Sequence, residues 1–413
     1  MIGKTNATTI IGGAAPTTGD YLVRYIDIDG TVLKEQWVNS GQNATPPTNP
    51  NIDSTYLTFN QWNKSSNNIT NHKDIGALYT TVDNKTYAFI TLTTASGVAP
   101  SLYFNKSDGS TLTVNWGDST QSTFTNSGYF NTGAHTYSTT GNYIISIWIS
   151  SGSGTYSFGN GGSGSPFLGT YKSTLTKIYI GSKVTTLQAY SFYDHRSLQI
   201  ISSPITLATL AVSSFNQCYS LKGYNCNDNN TILPTSVFRY LYNAVNISLP
   251  STVSSIGGSC LGYLYNVRYL VLPVISDKTL SSTSLEYARG LKTLQLNSSI
   301  LNISDYALTE LNNLENLILP AGFLTYGVNN SYMTSLKSID FPSSTTSIGN
   351  FSNCLVLIKI ICRATTPPTL ASGAFSTSNQ LLKIYVPDAN VAAYKAATNW
   401  STYANYIYGI STM

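Results

Sequence analysis

Ten short strings recur along the chain at a nearly constant step, and no other feature limits the possible folds so sharply. They are LTKIYIG, LQIISSP, LKGYNCN, AVNISLP, VRYLVLP, LKTLQLN, LENLILP, LKSIDFP, LIKIICR and LLKIYVP, which begin at Leu175, Leu198, Leu221, Ala244, Val267, Leu291, Leu314, Leu336, Leu357 and Leu381. The steps between them are 23, 23, 23, 23, 24, 23, 22, 21 and 24 residues. Such a period makes each string one coil of a solenoid, because a unit that short cannot bury its apolar face alone. Offsets 0, 3 and 5 are almost always apolar (Leu314, Leu317 and Leu319, for example), so they point inward from a short strand. A Pro often follows at offset 6 and stops the strand. About seventeen residues into a unit an aromatic or Leu recurs, at Phe192, Phe215, Phe238, Leu261, Leu308, Phe351 and Phe375, to fill the core from the opposite wall.

A solenoid needs closed ends. Asp388–Thr398 has the pattern of an amphipathic helix with Asp388 as N-cap, and Trp400, Tyr403, Tyr406 and Ile407 are placed to cover the last coil. Residues 388–413 are therefore expected to form a C-terminal cap.

Upstream of the repeats the pattern is still β. Tyr21–Ile28 meets Asp29-Gly30 and returns as Thr31–Val38, the signature of a two-residue hairpin. A Pro-rich loop at 44–50 follows, then Leu57, Phe59 and Trp62, and a closing strand through Ile75, Ala77, Leu78 and Tyr79. A second β-module spans 82–150 and ends on Tyr143–Ser150, with Ile145 and Ile147 on one face and Ile144 and Trp148 on the other. Residues 151–169 are Gly/Ser-rich and read as a linker, or as a loop that docks through Phe158, Phe167 and Leu168. Residues 1–19 are small, polar and aperiodic, an arm that orders against a partner.

Composition removes several classes of function. Charged residues are only 10% of the 413, and the net charge of +4 is too small to indicate nucleic acid. No stretch approaches the ~18–20 apolar residues of a membrane span. The five cysteines are an odd number without a CxxC pair, which argues against a disulfide scaffold and against zinc. Polarity instead comes from Ser, Thr, Asn and 30 Tyr, a profile of extracellular β-rich proteins. The N-terminal MIGKTNATTIIGGAAPTTGD lacks the apolar run of a signal peptide. A virion protein released by lysis reconciles these two observations, and so does a chain whose signal was trimmed.

The repeat form LxxIxLPxxVxxIxxxxFxxCxxL, over residues 170–387, resembles the BspA-type leucine-rich repeats of bacterial surfaces, some protist surface proteins and phage structural genes. Tyr224 and Cys226 in the third strand and Ala244 at the head of the fourth depart from it. YIDIDGTVL, PPTNP, LTFNQW and DIGALY, within 20–81, resemble the internalin B-repeat, a small β-grasp-like module, with Gln61 where that family has Gly before the Trp. Trp116-Gly117-Asp118 with His135-Thr136-Tyr137 resembles the PKD-type immunoglobulin-like domain. The expected fold is mainly β: a β-grasp-like module, an Ig-like sandwich, then a leucine-rich-repeat solenoid with a helical cap.

Candidate chemistry is sparse. Cys218, Cys226, Cys354 and Cys362 fall at inward positions and read as buried structural thiols. His72, His135 and His195 are dispersed, and His135 most simply orients its turn. Asp27-Ile-Asp29-Gly30 lacks the further carboxylates of a calcium loop, and Asp118 reads as an Asx-type turn. No catalytic residue, metal site or cofactor is expected. One surface feature remains. Offsets 1 and 2 of the strands carry a base in seven coils, Lys177, Lys222, Arg268, Lys292, Lys337, Lys359 and Lys383. Stacked at ~4.8 Å, they are expected to line one ladder, either a solvated sheet face or a groove for an anionic glycan with Tyr179 and Tyr269 as stacking platforms.

These readings converge on a non-enzymatic, adhesive or structural protein of a phage virion surface, a head or tail fibre or decoration. Its partners would be other virion proteins through the arm and a host-surface glycan or protein, with homo-oligomerisation open. The alternative is a BspA-like adhesin of the bacterial cell surface.

Overall fold

The structure is a computed structural model that describes residues 20–94, 99–161, 165–376 and 381–413. The arm at 1–19 lies outside the described residues.

A hairpin forms around Asp29-Gly30, but not with the expected two-residue turn: Asp27 N donates to Thr31 O at 2.9 Å and the register shifts at Tyr25/Ile26, so Ile28, Asp29 and Gly30 make a three-residue loop with a bulge. Gly30 N donates to Asp27 O at 3.0 Å, and Gly30 takes a φ of +83° that a residue with a Cβ rarely adopts. Strand β1 (Asp20–Ile26) pairs antiparallel with β2 (Val32–Asn39) and parallel with β4 (Lys73–Thr81), which pairs antiparallel with β3 (Leu57–Trp62). The sheet order is β2-β1-β4-β3. Coil and turns, not a helix, span residues 40–56.

Seven strands follow: β5 (Thr86–Leu92), β6 (Tyr103–Lys106), β7 (Thr111–Asn115), β8 (Gln121–Phe124), β9 (Gly128–Asn131), β10 (Gly141–Ser151) and β11 (Tyr156–Phe158). They form two layers, β5-β10-β7-β8 and β11-β6-β9, closed over Phe104, Leu112, Val114, Trp116, Ile145 and Ile147. The WGD and HTY segments meet. His135 stacks on Trp116 at 4.3 Å, its Nε2 lies 2.7 Å from Asp118 Oδ2, and Tyr137 donates its hydroxyl to Trp116 O. Where described, the 151–169 stretch docks rather than swings free: β11 completes a sheet, and Phe158, Phe167 and Leu168 are buried.

The first layer does not stop at the module. The strand of coil one (Leu175–Tyr179) pairs antiparallel with β5, and that of coil two (Ile200–Ser202) extends it, giving one six-stranded sheet. Beyond it the coils, numbered by their leading residues from Leu175 to Leu381, stack in parallel in the expected register, as in Tyr269↔Thr293↔Asn316. Inward offsets are buried except Leu381, which is exposed while its neighbour Leu382 is buried, and Leu319, which is half-buried. The opposite wall stacks Phe192, Phe215 and Phe238 nearly parallel, 5.7 and 5.9 Å apart. All five cysteines are free and buried, and burial pushes the thiols of Cys218, Cys226, Cys260, Cys354 and Cys362 up.

The cap departs from expectation in two details: Tyr406 is exposed rather than covering the last coil, and Asp388 is not an N-cap. Asp388 opens a 3-10 turn (Asp388–Asn390) before the helix Val391–Ala396 but makes no N-cap hydrogen bond. Its carboxylate accepts from the Ser411 hydroxyl at 2.5 Å instead, tying down the chain end. Trp400 and Tyr403 are buried over coil ten, and Ile407–Gly409 adds one more parallel strand.

Candidate binding face of the repeat strands

Offset 3 of each strand points into the core, so offsets 2 and 4 form the outward face. On coils three and four these positions hold Gly223, Asn225, Asn246 and Ser248, and all are buried. The N-terminal module lies on them. Asn225 donates to Ile26 O at 3.0 Å and Ala77 O at 3.1 Å, Asn246 donates to Gly30 O at 2.7 Å, and Ser248 donates to Asp74 O at 2.9 Å. From the other side Asn63 donates to Cys226 O at 2.8 Å. Two glycines permit the approach. A Cβ on Gly30 would fall 2.6 Å from Lys222 O, and one on Gly223 would fall 2.7 Å from Gly30 Cα.

A buried ionic seam completes this contact. Arg24 forks onto Asp74 at 2.8 and 2.7 Å, donates to Asn246 Oδ1 at 3.0 Å and lies 4.6 Å over the Tyr269 ring. Burial opposes the Arg24 charge, but the Asp74 carboxylate outweighs it and raises the group above its ordinary value. Lys64 is less well served. Its ammonium donates to Asp74 O at 2.6 Å, and burial lowers it to about 8 despite the pull of Asp74 and Asp228. His72 packs against Tyr21, Trp37 and Tyr269, and burial lowers it too.

This covering corrects the expected site. Tyr179 is 1% exposed and donates its hydroxyl to Asp53 at 3.0 Å, while Tyr269 is held between Arg24 and His72, so neither is a stacking platform for a ligand. Nor do the seven bases form one ladder. Lys222, Arg268, Lys292 and Lys337 occupy offset 1, whereas Lys177, Lys359 and Lys383 occupy offset 2. Lys177 is half-buried and lies 5.7 Å over Phe89, beside β5. Lys292 pairs with Glu315 at 3.4 Å, which interrupts the offset-1 column.

From coil seven onward no N-terminal module lies on the face of the described residues, although Ile361 and Tyr385 at offset 4 are buried there too. Among the described residues no hydrogen bond, ion pair or ring contact joins the N-terminal modules to coils seven to ten. Here Lys359 and Lys383 are directly paired in register, and Lys383 lies 5.9 Å over the Tyr408 ring, which is 6.1 Å from Tyr385. Arg363 forks onto Asp340 at 2.8 and 2.7 Å. With Lys337 exposed one coil earlier, this end carries more positive than negative charge, and of its two rings Tyr408 is exposed whereas Tyr385 is buried. It lacks any catalytic constellation, and no group of three or more metal-capable side chains occurs among the described residues. Nor is any described helix long and apolar enough to cross a membrane.

Six copies of the BspA type leucine rich repeat region match residues 170–286 and 278–402, more than half of the chain. The chain belongs to the BspA-type leucine-rich-repeat family. No curated protein matches it. Among solved structures, a leucine-rich repeat protein from Bacteroides ovatus is 24% identical with a TM-score of 0.46, over 52% of this chain and 56% of its own. A leucine rich cell surface protein from Faecalibacterium prausnitzii is 16% identical with a TM-score of 0.26, over 52% of this chain and 79% of its own. This BspA-type chain thus aligns with little more than half the length of the first. The covering of the repeat face is what sequence patterning missed, although Gly, Asn and Ser at outward offsets of coils three and four signalled it.

Proposed function

We propose that this chain is a non-catalytic adhesive protein of a bacterial cell surface whose bare repeat face, from coil seven to the cap, binds an anionic surface polymer such as a glycan. The observation that carries the reading is the unequal covering of one continuous face. Coils three to five give their outward side chains to the N-terminal module, whereas Lys359 and Lys383 stay available beside the exposed Tyr408, with Lys337 exposed at the neighbouring offset 1. Membership of the BspA-type family supports the bacterial surface over the virion surface, and the arm at 1–19 would then serve as a tether rather than a particle-attachment segment. Residues 20–81, read as a B-repeat-like module, would brace coils three to five, and residues 82–150, read as a PKD-type module, would support coil one through β5.

Binding of the full chain to sulfated or carboxylated polysaccharide across a salt series tests this. Exposed charges act weakly alone, so single changes at Lys359 or Lys383 should be nearly silent. The triple change Lys337→Ala, Lys359→Ala, Lys383→Ala should weaken binding about tenfold, most at low salt. Salt-independent binding, or a triple variant that binds like the parent, sinks the proposal.

A further inference from the structure

A second surface, away from the basic end, has the makings of a site of different chemistry. Where the Asp29–Gly30 hairpin meets the coils there is an open cavity of about 350 Å³, lined by Asp29, Gln199, Ser220, Lys222, Asn243 and Val245. Part of its wall comes from the N-terminal module and the rest from coils two to four. Val245, 44% exposed, offers an apolar patch, and the amides of Gln199 and Asn243 face solvent with both donors and acceptors. Asp29 and Lys222 bring one charge of each sign, so the lining is neutral as a whole.

An aromatic ridge adjoins the cavity along the chain. Tyr219 and Tyr242 immediately precede Ser220 and Asn243, and with Tyr265 they stack 4.9 and 4.7 Å apart at interplanar angles of 6° and 2°. Arg196 closes one end, 5.4 Å over Tyr219. Beside this column runs another, Tyr240, Tyr263 and Tyr287, with centroids 4.3 and 4.6 Å apart. These three adopt left-handed backbone at φ of 64°, 62° and 55°, a conformation costly for a bulky side chain. Coil nesting does not demand tyrosine there, since the equivalent turns carry Gln217 and Asn353 at similar φ. The left-handed turn recurs at Asp194, Gln217, Glu310 and Asn353, so it belongs to the solenoid, and what sets the ridge apart is tyrosine at three successive turns, each half-buried.

The chemistry of the ridge limits its ligand. The rings spend their faces on one another, so they present a rigid row of phenol hydroxyls and ring edges at the coil spacing. Its charges are largely paired in place, Arg239 with Glu286 at 2.8 Å and Arg289 with Glu310, while Asp194 is shared between Arg196 at 2.5 Å and Lys172 at 2.7 Å, which leaves one excess positive charge at that end. A charged polymer gains little here, whereas a chain of hydroxyls meets hydrogen-bonding groups already held in position. We propose that the cavity and the adjoining tyrosine ridge form a second binding site, for an uncharged oligosaccharide with one sugar seated on Val245 between the Gln199 and Asn243 amides and the following sugars along Tyr219 and Tyr242.

The test is titration of the full chain with cello-, chito-, manno- and malto-oligosaccharides. At least one should bind, with an affinity unchanged from low to high salt. The double variant Gln199→Ala, Asn243→Ala should lose at least tenfold in affinity with an unaltered melting temperature. Tyr219→Phe with Tyr242→Phe keeps the stack and removes only hydroxyls, and should lose severalfold. The triple lysine change on the bare face should leave this binding intact. Failure of all four sugars to bind, salt-sensitive binding, or full affinity in either double variant would overturn the assignment.

Discussion

The two halves of the repeat face share one backbone and one register but solve different problems. On coils three and four the outward positions are Gly223, Asn225, Asn246 and Ser248, small or amide side chains that let another sheet approach and that satisfy its backbone carbonyls. On coils nine and ten they are Lys359 and Lys383, which keep solvent exposure, and Ile361 and Tyr385, which are buried although no other module meets them among the described residues. The inward positions hardly change. A solenoid thus separates its concerns: the core repeats, while outward residues decide coil by coil whether a surface is an internal interface or a free one.

The largest expected effect comes from breaking the seam that defines the covered half. Asp74→Ala strands the Arg24 guanidinium in a buried site, and loss of one partner from a buried pair typically costs ~3–5 kcal/mol. Urea unfolding followed by hydrogen exchange over residues 20–81 should show that loss in the N-terminal module, with coils seven to ten unaffected. Equal destabilisation of both regions would mean that the halves are not separable.

Lys64 gives a pH signature of the same contact. Its folded value of about 8 lies below the ordinary 10.5, so the unfolded chain binds more protons between those two values. Stability from this group therefore rises with pH across that window, by on the order of 3 kcal/mol, and is constant below it. Buried tyrosines and thiols, whose values are raised from 10.0 and 9.0, oppose this in the upper part of the window. The measurement is accordingly the difference between the parent and Lys64→Met, which should show the rise only in the parent.

Glycine spacing comes next. Gly223→Val places side-chain atoms against Gly30 and should cost about 1–3 kcal/mol as overpacking does, loosening the module without unfolding the repeats. A calorimetric trace with a new early transition would sharpen the comparison, and an unchanged trace would weaken it. The smallest effects belong to the bare half. Lys359→Ala and Lys383→Ala should each shift stability by no more than ~0.5 kcal/mol, whatever they do to binding.

The repeat register was legible because strand, Pro stop and back-wall aromatic recur at one period, and each of Leu314, Leu317 and Phe351 could be assigned inward from spacing alone. The covering was not, because Asn225 meets Ile26 and Ala77 across nearly the whole N-terminal region, and periodicity carries no information on such pairs. Pooling offsets 1 and 2 made the bases look like one row, whereas the strand twist and pleat separate Lys337 from Lys359. Asp388 carried a sound local signal for a helix cap and was taken by Ser411, a competitor close in space but 23 residues away.

The six-stranded sheet that joins β5 to coil one also bears on how the molecule tolerates cutting. A parallel stack has two raw edges, and here the C-terminal one is finished by Ile407–Gly409 with Trp400 and Tyr403 over the core, the N-terminal one by a strand borrowed from the preceding sandwich. Removing residues 1–150 would therefore do more than delete a module. It would expose the unpaired N–H and C=O groups of Leu175–Tyr179 together with the Ile178 side of the core, the kind of edge on which chains add to one another. The repeats alone should emerge as soluble aggregates or fibres, and a monomeric repeat unit should require at least β5 and β10 to be retained.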